Sequence, residues 1–310
     1  MCCLYGVYNY SGESYSGFEQ LNYSLGIEAT ERGTDATGVA VLRNDGKINI
    51  RKNHVSADKF KVSLPKDLIC FTGHTRHSTQ GDFRNNYNNH PFWGKCGGTG
   101  FALAHNGVIV NDDELRLQHN LKKTKIKTDS YIAVQLLEKE KKLSFESIRC
   151  MSEELRGSFS FSIVDVKSRL WLVKGDSPLE IIHFPDKKLY VYASTAEILY
   201  KGLVDSFLFR DIKNGNYENV DISSGEIFCF SRHGTIEKDK FFFSGYDESF
   251  FNWWEYGITE SADEQEQYIS YLKLAATQFG YNSDFVGELL KQGFSIYEIE
   301  DYIYSENAVL

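Results

Sequence analysis

Cys2 follows the initiator methionine, and its thiol could form one half of a catalytic pair. A thiol attacks as its thiolate, and a pKa of about 8.5 leaves only a small fraction ionised at pH 7. Removal of Met1 would place a free α-amino group on the same residue, where it could accept the thiol proton directly or through a water. The sequence therefore predicts an N-terminal cysteine nucleophile. The alternative is that Cys2 and Cys3 are two small apolar residues opening a buried strand.

Four polar segments downstream add residue types that suit a catalytic site. They are GHTRHSTQG (73–81), NNHPF (88–92), AHNGVIVN (104–111) and TDS (128–130). The first follows a predicted strand, the third ends one, and the fourth stands at the start of a predicted helix. Strand ends and helix starts that meet at one edge of a fold can hold such side chains together.

Together with MCCLYG at the start, these segments resemble, in order, the class II glutamine amidotransferase domain of the N-terminal-nucleophile hydrolases. Further segments are similar to the family, namely RGTDATGVAVL (32–42), LRGSFSFSIVD (155–165), GDSPLEI (175–181) and YVYASTAEIL (190–199). The resemblance runs from Met1 to 200 and onward to 245. It implies an α+β fold, a four-layer αββα sandwich of two antiparallel sheets.

The resemblance implies catalytic roles for three residues. Cys2 would attack the side-chain amide of glutamine, while the Asn106 side chain and the Gly107 backbone N–H would form the oxyanion hole. Turn chemistry alone is the other explanation for the pair Asn106–Gly107. Three residues of the matching segments would support the site, and these are His77, His90 and Arg32.

Three further residues would bind the substrate. Arg76 would grip the α-carboxylate of glutamine through its planar guanidinium, Asp129 would take the α-ammonium, and Thr79 would help to seat the molecule. The alternatives are a surface salt bridge for Arg76 and a helix cap for Asp129. The mechanism that the resemblance implies needs no metal or organic cofactor, and a zinc site from Cys2, Cys3, His74 and His77 would fit no familiar spacing.

The sequence departs from the family pattern at three positions. Cys3 stands where the family usually has glycine, His77 replaces an aromatic residue, and Gln80 lies at a position that varies among relatives. The residues assigned to chemistry and substrate binding are all present. We therefore expect an active glutamine site.

Composition and charge exclude several classes of protein. The chain has 310 residues and no apolar run near the roughly 20 that a membrane span needs. It also lacks a secretory signal and paired cysteines, which indicates reduced thiols and a cytoplasmic location. Residues 247–310 carry 13 acidic residues and two lysines, a net charge of −11 that disfavours nucleic-acid binding.

The elements predicted from periodicity divide the chain in two. Residues 1–245 alternate short strands with a few helices, including a hairpin of 37–43 and 47–52 around NDG and a helix over 129–142. Residues 246–310 form an aromatic segment, FFNWWEYG, and a helical appendix with a helix over 283–293. The prediction is thus one amidotransferase domain, 1–245, and an acidic appendix, 246–310.

Three functional hypotheses remain open. The chain hydrolyses glutamine and delivers ammonia to an acceptor on a separate partner, docked through the acidic appendix. Alternatively, it is an amidohydrolase that cleaves γ-glutamyl amides or peptides with no acceptor. The third hypothesis is an inactive binding scaffold. About 65 residues follow the domain, too few for an acceptor domain, so a stand-alone member is expected.

Overall fold

The computed structural model describes residues 2–243 and, further on, residues 269, 272–273, 276, 281–282, 284–292, 294, 299 and 302–303. The chain divides into two compact units, Met1–Glu248 and Ser249–Leu310. The predicted boundary between 245 and 246 lies outside the described residues, as does the segment FFNWWEYG.

The first unit alternates strands and helices along the chain. Its strands are β1 (Cys3–Asn9), β2 (Ala36–Arg43), β3 (Ile48–Asn53), β4 (Leu68–Arg76), β5 (Phe92–Cys96), β6 (Thr99–Ile109), β7 (Gly157–Asp165), β8 (Leu170–Lys174), β9 (Glu180–Phe184), β10 (Leu189–Ala193), β11 (Glu218–Asn219), β12 (Glu226–Phe230) and β13 (Ile236–Lys240). Its helices are α1 (Phe18–Glu28), α2 (Asp112–Gln118), α3 (Tyr131–Lys139), α4 (Phe145–Glu154), α5 (Ala196–Val204) and α6 (Phe209–Asn214).

These strands form two antiparallel sheets. The first sheet has the order β11-β9-β10-β1-β4-β2-β3, and the second has the order β13-β12-β8-β7-β6-β5. The predicted hairpin is confirmed, because β2 and β3 pair antiparallel across the NDG turn, where Gly46 has a φ of +78°. A positive φ at this position suits glycine, which explains the turn.

Each sheet is buried on both faces. Along β1, Cys3, Tyr5 and Val7 join the cluster that packs α1 and α5 on the first sheet, whereas Leu4 and Tyr8 join the cluster between the sheets. A third cluster packs α3 and α4 on the outer face of the second sheet. The predicted four-layer αββα sandwich is therefore confirmed. Burial on both faces also explains the near-continuous apolar sequence of the central strands.

The second unit has its own small core. Its buried residues are Leu272, Ala276, Val286, Ile299 and Ile303. The helix predicted over 283–293 is confirmed as α7 (Phe285–Lys291). In the described parts of both units, every helix is too short or too polar to cross a bilayer.

Candidate active site

Cys2 lies immediately before β1, at the centre of the first sheet. Its Sγ donates a hydrogen bond to the backbone oxygen of His77 at 3.4 Å, and Arg32 Nε donates to the Cys2 carbonyl at 2.9 Å. Cys3 pairs with Thr75 across the neighbouring β4. Cys2 and Arg76, the last residue of β4, are therefore at the same end of adjacent strands.

The electrostatic surroundings of the Cys2 thiol combine burial with two opposite charges. Burial is the main cause and raises the pKa of Cys2, the positive charge of Arg76 opposes this rise, and the negative charge of Asp129 adds to it. The structure thus brings the thiol, the guanidinium and the carboxylate within electrostatic range of one another. A thiol with a raised pKa needs a nearby base before it can attack.

The guanidinium of Arg76 is buried and points into a loop of the same sheet edge. Nη1 donates to Asn89 Oδ1 at 2.6 Å, and Nη2 donates to the backbone oxygens of Gln80 at 2.5 Å and Gly81 at 3.0 Å. Arg76 is only 2% exposed. The alternative of a surface salt bridge is therefore wrong for this residue.

Asn106 and Gly107 lie near the end of β6, in the second sheet. Asn106 is 1% exposed, and its Nδ2 makes no hydrogen bond to any described residue. A buried donor without a partner is costly, so such a group indicates either strain or a role in ligand binding. Gly107 has a φ of +136°, and a Cβ there would lie 2.0 Å from the Ser158 oxygen. Only glycine fits this backbone.

Asp129 joins the start of α3 to β6. Its Oδ2 accepts the backbone N–H of Ile109 at 2.7 Å, and its Oδ1 accepts the hydroxyls of Thr128 and Ser130 at 3.1 and 3.3 Å. The helix begins at Tyr131 with Ser130 at the N-cap position. A cap role for Asp129 is therefore wrong, because its carboxylate is held by the strand that carries Asn106 and Gly107.

The loop after β4 carries the remaining predicted substrate contacts. Thr79 is exposed and His77 is half-buried, and burial lowers the pKa of the His77 imidazole. The loop is tied back by Asp35 Oδ2, which accepts the Ser78 N–H at 2.8 Å. The predicted role of Thr79 in seating glutamine stays a prediction.

Three buried histidines, His74, His90 and His105, lie beside the site. The His74 and His90 rings have centroids 4.1 Å apart, His74 Nε2 bonds to the His105 carbonyl at 2.9 Å, and His105 Nδ1 bonds to Ser130 Oγ at 2.8 Å. Neither ring nitrogen of His90 bonds to a described residue. Burial lowers the pKa of all three, to about 3 for His74. These rings are neutral at pH 7, which fits a supporting role for His90.

Sequence reasoning assigned no role to two residues near Arg76, Asn89 and Lys52. Lys52 Nζ donates to the backbone oxygens of Asn89 and Pro91 at 2.6 and 3.0 Å. The available signal was the alternation in β3, where Lys52 continues the inward row of Ile48 and Ile50. A lysine in an inward row indicates a specific polar partner.

The glutamine amidotransferase domain family model matches residues 74–201. The matched segment contains seven of the predicted site residues, and these are Arg76, His77, Thr79, His90, Asn106, Gly107 and Asp129. Cys2, Arg32 and the first three strands precede it, so the match does not address the nucleophile.

Curated relatives resemble the chain over more than half of its length. A 7-cyano-7-deazaguanine synthase of Saccharolobus solfataricus is 28% identical over 194 residues, which are 58% of this chain and 39% of the relative. An amidophosphoribosyltransferase of Methanocaldococcus jannaschii is 30% identical over 236 residues, 73% of this chain and 48% of the relative. The chain thus spans less than half the length of these two relatives.

The fold comparison agrees with the sequence comparison. A solved structure of glutamine phosphoribosylpyrophosphate amidotransferase from B. subtilis superposes with a TM-score of 0.61 at 19% identity, over 78% of this chain and 49% of that one. At this identity the likeness concerns the fold. With the family model, the relatives and the two-sheet architecture in agreement, this chain carries a class II glutamine amidotransferase domain with the N-terminal-nucleophile hydrolase fold.

Proposed function

We propose that this chain hydrolyses the side-chain amide of glutamine with Cys2 as nucleophile, and that the ammonia released is transferred to an acceptor. The observation that carries the proposal is the placement of Cys2 and Arg76 at the same end of β1 and β4, with the buried Asp129, whose charge acts on the Cys2 thiol, bonded to β6. An amino acid presents one carboxylate and one ammonium group. A buried guanidinium and a buried carboxylate, both acting electrostatically on one thiol, suit such a zwitterion.

The substrate is held by its charged ends. The Arg76 guanidinium binds the α-carboxylate, and one Asp129 oxygen binds the α-ammonium while the other stays bonded to β6. The side-chain amide then extends toward the thiol. Binding both ends fixes the reacting carbon relative to Sγ, which lowers the entropic cost of the attack.

The chemistry divides into two steps. After removal of Met1, the Cys2 amine takes the thiol proton, and Sγ attacks the amide carbon to form a tetrahedral oxyanion. The Asn106 amide and the Gly107 N–H donate to this oxyanion. Collapse breaks the C–N bond, and ammonia leaves with a proton from the Cys2 amine. Water then hydrolyses the γ-glutamyl thioester, giving glutamate and free thiol.

Our proposal includes an acceptor for the ammonia and names no particular molecule. The relatives named above are a synthase and a phosphoribosyltransferase of different products, and the chain matches less than half of each. The shared part suits a common source of nitrogen. Docking of a separate acceptor enzyme through residues 246–310 and a cytoplasmic location both stay predictions.

The proposal is tested by intact mass after treatment with 6-diazo-5-oxo-L-norleucine, a diazo-ketone analogue of glutamine. We expect a mature chain that lacks Met1 and gains one adduct, located on Cys2, with none in Cys2→Ala. A retained methionine with no adduct would support the inactive scaffold instead. Faster turnover of γ-glutamyl peptides than of glutamine would favour the amidohydrolase.

Asn106 provides a kinetic test of the oxyanion site. Asn106→Ala removes a buried donor that has no partner among the described residues, so little folding stability should be lost. We expect kcat for glutamine hydrolysis to fall about 100- to 1000-fold with a small change in KM, because the bond forms only in the transition state. Asn106→Asp, which keeps the size and loses the donor, should be equally slow. Unchanged kcat in both variants would remove Asn106 from the mechanism.

A further inference from the structure

Asn89 lies beside Arg76 and bonds to it through its side chain. The amide oxygen Oδ1 accepts Arg76 Nη1 at 2.6 Å, and both residues are almost fully buried, at 1% and 2% exposure. The Asn89 amide nitrogen is itself fixed, since Nδ2 donates to the Phe83 carbonyl at 2.7 Å and to Asn86 Oδ1 at 3.3 Å. The orientation of one amide plane therefore sets the direction of the guanidinium.

Lys52 holds the backbone of Asn89 from the neighbouring strand β3. Its Nζ donates to the Asn89 and Pro91 carbonyls at 2.6 and 3.0 Å and lies 5.0 Å from the centroid of the Phe92 ring. Asn89 thus presents two oxygens to two cations, the backbone oxygen to Lys52 and the side-chain oxygen to Arg76. These bonds connect β3, the edge strand of the first sheet, to the segment that contains Asn89 and contacts the Arg76 guanidinium.

The neutrality of Asn89 matters for a site that binds an anion. All three hydrogen bonds that Arg76 makes to described residues go to neutral oxygens. A carboxylate partner would cancel the charge of the guanidinium, whereas an amide orients it and leaves the charge available. Fixing a charged donor before the substrate arrives reduces the ordering cost of binding.

We propose that Asn89, supported by Lys52, is a positioning residue that orients Arg76 toward the α-carboxylate of glutamine. The inference rests on the proposed function. It assigns to the loop of NNHPF a role in substrate affinity. The chemistry at Sγ does not involve Asn89, so its loss should affect KM and leave kcat nearly unchanged.

The first test is steady-state hydrolysis of glutamine by Asn89→Ala. Loss of a hydrogen bond to a charged group should raise KM about 10- to 100-fold, with kcat within about threefold of the wild type. Asn88→Ala is the matched control. Asn88 is equally buried, and its amide bonds to the Asp82 oxygen and the Lys127 N–H at 2.9 Å each, with no bond to Arg76. Its KM should change far less.

A second measurement reads the recognition of the amino-acid part of the label at Cys2 itself. The rate constant for alkylation of Cys2 by 6-diazo-5-oxo-L-norleucine is divided by that for iodoacetamide, which has no carboxylate, with modification read at Cys2 by peptide mass. Asn89→Ala should lower this ratio about 10- to 100-fold. Lys52→Met, which keeps the Asn89 side chain, should lower it less.

The outcomes separate the two proposals. A wild-type protein that the diazo-ketone fails to label at Cys2 refutes the proposed function. A labelled wild type with an unchanged ratio in Asn89→Ala overturns the positioning role of Asn89. An equal fall of the ratio in Asn88→Ala also overturns it, because the effect would then belong to the whole loop.

Discussion

Cys2→Ala is expected to reduce kcat for glutamine hydrolysis by about 10,000-fold or more, since removal of a nucleophile abolishes the covalent route. The fold should survive, because Cys2 precedes β1 and its only described side-chain bond is a weak one from Sγ to the His77 carbonyl. The measurement is release of glutamate and ammonia by the purified protein, with folding checked by thermal unfolding. Activity within tenfold of wild type would exclude Cys2 as nucleophile.

Cys3→Ala is the matched control for this experiment. Cys3 is fully buried in the cluster between the first sheet and its helices, and burial raises the pKa of its thiol to about 11. Successive side chains of a strand point to opposite faces, so Cys3 faces away from the site. Its replacement should lower stability and leave activity per folded molecule close to wild type. The second thiol therefore does not compete with the first.

Lowering the pH from 7.5 to 5.5 is expected to reduce the free energy of unfolding by about 3 kcal/mol or more. His74, His90 and His105 have pKa values lowered by burial in the folded state, whereas in the unfolded chain the pKa is about 6.5. The unfolded state thus binds more protons between pH 6.5 and the folded pKa values. Stability is full above this window and is lost as the pH falls into it, by about 1.4 kcal/mol each for His74 and His90 at pH 5.5, and His105 adds to the loss in the same direction.

Urea unfolding at the two pH values checks this expectation, and carboxylates interfere little because most remain ionised at pH 5.5. His90→Phe should reduce the pH-dependent loss by about 1.4 kcal/mol, since it removes one titrating ring that makes no bond to described residues. His233→Phe, at an exposed position, should not change it. A loss below about 1 kcal/mol in the wild type would show that the rings are not held neutral.

Much of the architecture could be predicted because local pattern and tertiary fold agree. The NDG turn between alternating residues predicted the β2–β3 hairpin, and Gly46 has the positive φ that this turn requires. The strand β5 was not among the predicted elements. It is a short edge strand in which Gly94 and Lys95 weaken the strand signal.

The sequence predicted which residues form the candidate site, and it predicted only some of the contacts that hold them. We predicted Arg76, Asn106 and Asp129 from motifs, and a motif is recognised from consecutive residues of the sequence. The support of Arg76 by Asn89 and Lys52 depends on the packing of β3 against a distant loop, which sequence spacing does not encode. For the same reason a helix cap was the alternative considered for Asp129, whereas the bond from the Ile109 backbone to its carboxylate was not predicted.

The two halves of the candidate site belong to different layers of the sandwich. Cys2 and Arg76 are carried by the first sheet, whereas Asn106 and Gly107 are carried by the second. The alignment of the catalytic groups therefore depends on the relative position of the two sheets. A displacement of about 1 Å between two otherwise intact sheets can reduce the rate about 100-fold. Hydrogen bonds between the two sheets, such as the one that joins the Thr72 and Ser162 hydroxyls at 2.6 Å, oppose this displacement. Evolution could then tune turnover from positions deep between the sheets, without altering any group that meets the substrate.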